Sequence, residues 1–260
     1  MPDSNATIAA LIARPSETVL MVDFDGSLSP IVGDPMAARP LPDAIDVLRD
    51  LAHGLGRIAI VSGRPVEFLE EHLPVPGLVL SGLYGLDYVH DGVRRIDPRV
   101  EPFLPAIEAA AREAEARLPG LIVERKSGVS VTLHWRTAIE REEEVRAVAD
   151  ELSQRYELDA PLRGRRAVEL RPPVPVDKGS AVRDLARGFA IGAFAGDDAG
   201  DLPAFAALRA LKQEGALEEA IGIGVLSPEA PPELEPAVDV TVGGPHGLVA
   251  FLTGVRDQIA

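Results

Sequence analysis

Val19-Leu20-Met21-Val22-Asp23-Phe24-Asp25-Gly26-Ser27-Leu28 runs from an apolar tetrad straight into two acids and a glycine. A short, wholly apolar run bounded by turn residues marks a strand buried on both faces, as in a parallel sheet. In open parallel sheets, ligands bind beyond the carboxyl ends of the strands. Asp23 and Asp25 emerge there, they share a parity, and Gly26 lets the chain turn away. One carboxylate of such a pair can attack phosphorus, while the other exchanges protons with the leaving oxygen and the attacking water. The plain alternative for this spacing is one helix-capping Asp and one turn Asp.

Similar apolar runs fall at residues 58–61, 190–194, 221–225 and 238–242, and amphipathic stretches at 43–53, 66–72, 179–187, 202–212 and 248–259. This alternation predicts an α/β layered fold with right-handed crossovers. Three further motifs sit at strand ends or at a helix start. Ser62-Gly63-Arg64 offers a hydroxyl and backbone amides leading into a helix, which suits a phosphate; a simple Ser N-cap is the competing reading. Asp177-Lys178-Gly179 opens a helix with a lysine able to neutralise a phosphate and a nucleophile, or merely to sit on the surface. Gly196-Asp197-Asp198-Ala199-Gly200-Asp201 places three carboxylates within five residues, which is costly unless something positive binds them. A hard cation such as Mg²⁺ takes one or two protein carboxylates together with phosphate oxygens and waters. Asp201 is also well placed to cap the next helix.

The middle of the chain has a different rhythm. Residues 121–126 and 129–136 form a hairpin pattern about Ser127-Gly128, helical patterns cover 105–118 and 141–156, and 167–171 is another strand candidate. This predicts a small α+β domain at residues 87–170, inserted into a discontinuous core of residues 1–86 and 171–260. Glycines within 81–85 would form the outgoing hinge, and Pro172, Pro173 and Pro175 a stiff return. In the strand 129–136, Val129, Val131, Leu133 and Trp135 share one side, and Ser130, Thr132, His134 and Arg136 the other. A three-residue turn sets Glu124 and Lys126 beside Ser130 and Thr132 rather than burying them against valines. Glu169 and Arg171 extend the same polar face, which is expected to be open and able to bind sugar hydroxyls or simply to be solvated.

The chain carries 260 residues, 46% of them hydrophobic, with a formal charge of −15 and no cysteine. That balance argues against nucleic acid or an anionic membrane as a partner. The missing cysteines exclude disulfides, thiolate nucleophiles and Cys-ligated zinc. With no apolar stretch long enough to span a bilayer and no base ahead of Arg14, a cytoplasmic protein is expected.

The order of Asp23-x-Asp25-Gly26, Ser62, Lys178 and Gly196-Asp197-Asp198-x-x-Asp201 resembles the haloacid dehalogenase superfamily of phosphohydrolases. The resemblance implies a Rossmann-like core with a parallel sheet and an inserted α+β cap that selects the leaving group. It assigns Asp23 as nucleophile, Asp25 as acid and base, and Ser62, Gly63 and Lys178 as phosphate ligands. Mg²⁺ would be held by Asp23, the backbone carbonyl of Asp25 and Asp197, with Asp198 in support. Glu124-x-Lys126, Val168-Glu169-Leu170-Arg171-Pro172 and the glycines at 82 and 85 narrow the resemblance to the trehalose-6-phosphate phosphatases. It implies that Arg64, Glu124, Lys126, His134 and Glu169 bind the substrate, a small sugar phosphate. Phosphatases of sucrose phosphate or mannosyl-3-phosphoglycerate share the architecture. The inserted segment and the Asp-x-Asp-Gly spacing argue against a phospho-Asp receiver, and the full motif set argues against an inactive sensor. Tyr84 stands where this family commonly has histidine, Ser27 where it usually has threonine, and Ala199, Gly200 and Leu202 also depart from its pattern.

Overall fold

The computed structural model describes residues 4–159, 162–164 and 166–259. The chain divides into two compact units, one formed by Met1–Arg95 with Val176–Ala260 and the other by Ile96–Pro175.

The first unit is built on an eight-stranded sheet. Its strands are β1 (Thr18–Val22), β2 (Arg57–Val61), β3 (Val79–Gly82), β4 (Asp87–His90), β5 (Val93–Ile96), β10 (Ile191–Gly196), β11 (Glu219–Leu226) and β12 (Val240–Gly243), in the spatial order β12-β11-β10-β1-β2-β3-β4-β5. The strands from β12 to β3 run parallel, and β4 turns back antiparallel to β3. β1 is buried along its whole length and alternates between two cores. Leu20 and Val22 pack with α1 (Ser4–Ile12), α2 (Pro42–Gly54), α3 (Val66–His72) and α8 (Gly244–Ile259). Val19 and Met21 pack with α6 (Lys178–Leu185) and α7 (Leu202–Gln213). The α/β class and the central, doubly buried β1 agree with the sequence pattern. Because β1 is flanked by β2 on one side and β10 on the other, its carboxyl end is the topological switch point of the sheet, where such folds place their ligands.

The second unit is a four-stranded antiparallel sheet, β6 (Ile122–Lys126), β7 (Ser130–His134), β9 (Ala167–Leu170) and β8 (Leu162–Gly164), in the order β6-β7-β9-β8. α4 (Leu104–Arg117) and α5 (Glu142–Arg155) cover one face, with Ile107, Ala111, Val145 and Leu152 against Val131, Leu133, Trp135 and Val168. At the hairpin turn Ser127 and Gly128 take positive φ, of 54° and 69°. Lys126 then pairs with Ser130, and Glu124 with Thr132, as the charge argument requires.

Three expectations need correction. Residues 87–95 belong to the first unit, because β4 hydrogen-bonds to β3 and β5 lies beside β4. The four residues of β5 are exposed or half-buried, so the pattern that marks a core strand is missing there. The supposed hinge at 81–85 begins inside β3, which pairs with β2, and the chain reverses only at Leu83 and Tyr84, both at positive φ. The polar face of the second sheet is also not open: Ser130, Thr132, His134 and Glu169 are each at most 9% exposed.

The chain has a single tryptophan, Trp135, which is 1% exposed in the core of the second unit. Leu133→Ala in that core should cost about 2–5 kcal/mol and lower the urea midpoint read by tryptophan fluorescence. An unchanged midpoint would contradict the packing described.

Candidate active site

The loops that follow β1, β2 and β10 converge with the start of α6. The Asp23 N–H donates to the Ala195 carbonyl (2.9 Å), which continues the ladder between β1 and β10 one step beyond β1. The following loop is closed by N–H bonds from Leu28 and Ser29 to the Phe24 carbonyl and from Gly26 to the Ser29 carbonyl. Gly26 sits at φ 83°, and a Cβ there would lie 2.0 Å from Asp197 Oδ2. The glycine is thus required for two reasons: a left-handed backbone, and an approach to the facing carboxylate that no side chain would permit.

α6 begins with a capping box. The Ser180 N–H donates to Asp177 Oδ1 (2.8 Å), and the Asp177 N–H donates to Ser180 Oγ (3.1 Å). This fixes Lys178 as the first helical residue, the position opposite the end of β1. Gly179 allows the helix to close on α7, since a Cβ there would stand 2.6 Å from the Pro203 carbonyl oxygen. Lys178, 5% exposed, donates from Nζ to Asp23 Oδ1 and to Asp201 Oδ1, both at 2.6 Å.

Asp23, Asp197 and Asp201 are buried, and one carboxylate oxygen from each lies within 4.8 Å of the others. Their roles differ. Asp201, fully buried, uses Oδ1 on Lys178 and Oδ2 on the N–H groups of Asp197 (2.9 Å) and Asp198 (3.1 Å). It therefore holds the turn after β10 and the lysine, and it does not cap α7, to which its side chain makes no capping hydrogen bond. Asp197 accepts a long bond from Ser27 Oγ (3.5 Å). Asp198, expected to support a metal, is exposed and turned aside to accept from the Gly200 N–H (2.8 Å). The short 3₁₀ turn at Ala199–Asp201 causes this, bringing Asp201 back over the strand end in its place.

Three carboxylates against one ammonium leave excess negative charge out of contact with water. Burial pushes the Asp23 carboxyl well above the usual range despite Lys178. Burial, then the charges of Asp201 and Asp198, push Asp197 up to about 7. Burial pulls Lys178 down, but Asp201, Asp23 and Asp198 outweigh it and hold the ammonium well above its ordinary value. A divalent cation held by Asp23 and Asp197 would relieve this imbalance, and Gly26, lacking a Cβ, lets the Asp197 carboxylate come in against the loop after β1. The hard oxygen donors fit such an ion.

Asp25 lies outside this cluster. Its two oxygens accept from Arg64 Nε and Nη2, both at 2.7 Å, in a bidentate pair. The guanidinium also lies 4.5 Å from the centre of the Phe68 ring. Ser62 is buried, and its Oγ accepts from the Arg64 N–H (3.2 Å) while its own proton stays available to a ligand. The loop 62–64 is strapped down by N–H bonds from Tyr84 to the Ser62 carbonyl and from Leu83 to the Arg64 carbonyl, both 3.0 Å. Leu83 and Tyr84 make those bonds at positive φ, the kind of strain that collects at functional sites. Tyr84 lies so close to Gly63 that a Cβ on Gly63 would meet the Tyr84 ring at 2.7 Å.

The second unit carries its own polar cluster. Glu169 accepts from Ser130 Oγ (2.6 Å) and from Lys126 Nζ (3.3 Å). His134 donates from Nε2 to Glu124 (2.8 Å) and accepts at Nδ1 from Arg136 (3.1 Å), which defines its tautomer. The structure thus brings Glu124, Lys126, His134 and Glu169 onto one sheet face. Arg171 pairs with Asp159 instead, at 3.3 Å.

The family model described as Trehalose-phosphatase matches residues 21–230. The trehalose-phosphate phosphatase of Mycobacterium leprae (strain TN) is 35% identical over 190 residues, which cover 70% of this chain and 43% of the relative. That of Mycobacterium tuberculosis (strain H37Rv) is also 35% identical, over 177 residues, covering 66% and 44%. The matched part is thus less than half the length of these curated relatives. Among solved structures, a trehalose-6-phosphate phosphatase related protein superposes with a TM-score of 0.75 at 23% identity, covering 92% of this chain and 97% of that one. The C-terminal domain of Candida albicans trehalose-6-phosphate phosphatase gives 0.72 at 19% identity, covering 98% and 97%. At those identities the superpositions speak for the fold.

The raised carboxyls carry a sign. A folded-state value of about 7 for Asp197, against an ordinary 3.8, gives a contribution to stability that is complete below the ordinary value and lost as pH rises through about 7. Chelator-treated protein should therefore lose stability in urea melts between about pH 4 and 7. A divalent cation at a hundredfold excess over its Kd should restore about 2.7 kcal/mol at neutral pH. Identical melts with and without the cation would argue against the site.

Proposed function

Because this chain belongs to the trehalose-phosphatase family, we propose that it hydrolyses trehalose 6-phosphate to trehalose and inorganic phosphate. The observation that carries the chemistry is the separation of the two acids at the end of β1, Asp23 held by Lys178 and Asp25 by Arg64. An oxygen of Asp23 attacks phosphorus and the bond from phosphorus to the sugar oxygen breaks, leaving an aspartyl phosphate. Lys178 stays beside Asp23 and offsets the charge that the phosphoryl group brings into the site. Asp25 gives its proton to the departing sugar oxygen, then takes one from the water that attacks the aspartyl phosphate, and Asp23 is regenerated.

The bidentate bond from Arg64 engages both oxygens of Asp25 and fixes the carboxyl group beside the nucleophile. Donation to the leaving oxygen requires Arg64 to release at least one of those oxygens, and the incoming phosphate is a competing acceptor for the guanidinium. Ser62 Oγ and the Gly63 N–H are the neutral donors for the phosphoryl oxygens. The residues that would hold Mg²⁺ are Asp23, Asp197 and the carbonyl of Asp25. Bound there, it would supply positive charge toward the phosphoryl oxygens and keep Asp23 ionised. Glu124, Lys126, His134 and Glu169 are taken as the sugar contacts, and the reaction as cytoplasmic.

Phosphate release from a panel of sugar phosphates tests the reading. Trehalose 6-phosphate should be turned over with Mg²⁺, Asp23→Asn should abolish turnover, and Asp25→Asn should lower kcat about 10²–10⁴-fold. An inert trehalose 6-phosphate beside another sugar phosphate that is hydrolysed would defeat the substrate assignment and leave the phosphatase chemistry standing.

A further inference from the structure

We infer that the Thr132 hydroxyl is a specificity-determining contact to a hydroxyl of the sugar leaving group. The inference rests on the phosphatase reading above and adds a residue to the sugar-facing set.

Thr132 is the middle residue of β7, the strand flanked on both sides in the second sheet. The register sets it opposite Glu124 on β6 and opposite Glu169 on β9. It thus stands between the two carboxylates of the polar face, in one cross-strand row. Its two same-face neighbours along the strand are both engaged, Ser130 with Glu169 and His134 with Glu124 and Arg136. Thr132 itself is 4% exposed, and its Oγ1 has no hydrogen-bond partner among the described residues.

A buried hydroxyl without a partner is a net cost to folding, and buried polar groups are nearly always satisfied by protein, water or ligand. The flanking groups indicate which ligand fits. A threonine hydroxyl both donates and accepts, and a carboxylate accepts several hydrogen bonds. An acceptor–hydroxyl–acceptor row matches a ligand carrying several hydroxyls of its own. It does not match an apolar group, and the carboxylates disfavour an anion. The methyl of Thr132 adds a small apolar surface of the kind that lies against sugar C–H groups.

The test compares the full-length wild type with Thr132→Val and Thr132→Ser, all with Mg²⁺. The readouts are steady-state kinetics on trehalose 6-phosphate and p-nitrophenyl phosphate, and thermal melts. Thr132→Val keeps the shape and removes only the hydroxyl. It should raise KM for trehalose 6-phosphate about 3- to 10-fold relative to KM for the aryl ester, with kcat changed little and Tm not lowered. Thr132→Ser should return KM close to wild type. An unchanged KM ratio in Thr132→Val, with trehalose 6-phosphate still hydrolysed, overturns the inference alone. Equal losses on both substrates with a lowered Tm assign Thr132 a structural role and overturn it too. A wild type that hydrolyses the aryl ester but not trehalose 6-phosphate overturns the underlying reading, and this inference with it.

Discussion

The ammonium of Lys178 lies 2.6 Å from a carboxylate at the end of β1 and 2.6 Å from another in the turn after β10. Both acids and the lysine are almost wholly buried. A buried pair of charges repays its desolvation only when the geometry is good and the remaining lone pairs are used. Here Asp201 meets that condition, its second oxygen accepting two backbone N–H bonds. The rest of the site depends on this arrangement. It sets the side chain of Asp23, it curls the turn that presents Asp197, and it leaves an excess of negative charge that only a cation or protons can settle.

Most of the first unit was legible because β1, β2, β10 and β11 are buried on both faces and therefore read as unbroken apolar runs. The acids at their ends stood out against those runs. The elements that sequence does not reveal share a physical cause. β5, Val93-Arg94-Arg95-Ile96, is exposed or half-buried throughout, so it carries neither an apolar run nor a burial alternation. α1 has little amphipathic contrast, its residues Ser4–Ile12 being apolar or small around most of the helix. Asp201 reads in sequence as a helix-capping acid, whereas its bond to Lys178 spans 23 residues and has no local signature. The pairing of Arg64 with Asp25 spans 39 residues and is equally invisible in sequence, although each partner lies in a legible motif.

In the second unit, charge placement favours the hairpin register that forms, because the other register sets Glu124 and Lys126 against buried valines. The same argument failed on solvation. A strand with charged and hydroxyl side chains along one face looks half-exposed, yet all five residues of β7 are buried. Sequence reports which groups share a face, whereas hydrogen-bond satisfaction depends on which of them reach each other. Ser130 and Glu169 do, and Thr132 does not.

The two junctions of the inserted unit are physically unequal. The outgoing chain leaves from β5, at the edge of the sheet, where a residue added or lost displaces exposed side chains. The returning chain re-enters the first unit at Val176, and two residues later comes Lys178, the first residue of α6. Each residue of an α-helix turns through about 100°. A one-residue slip on the return side would therefore swing the ammonium away from Asp23 unless the Asp177 and Ser180 capping box held its place. As a module for exchange between enzymes, the insert is free at its entrance and keyed at its exit.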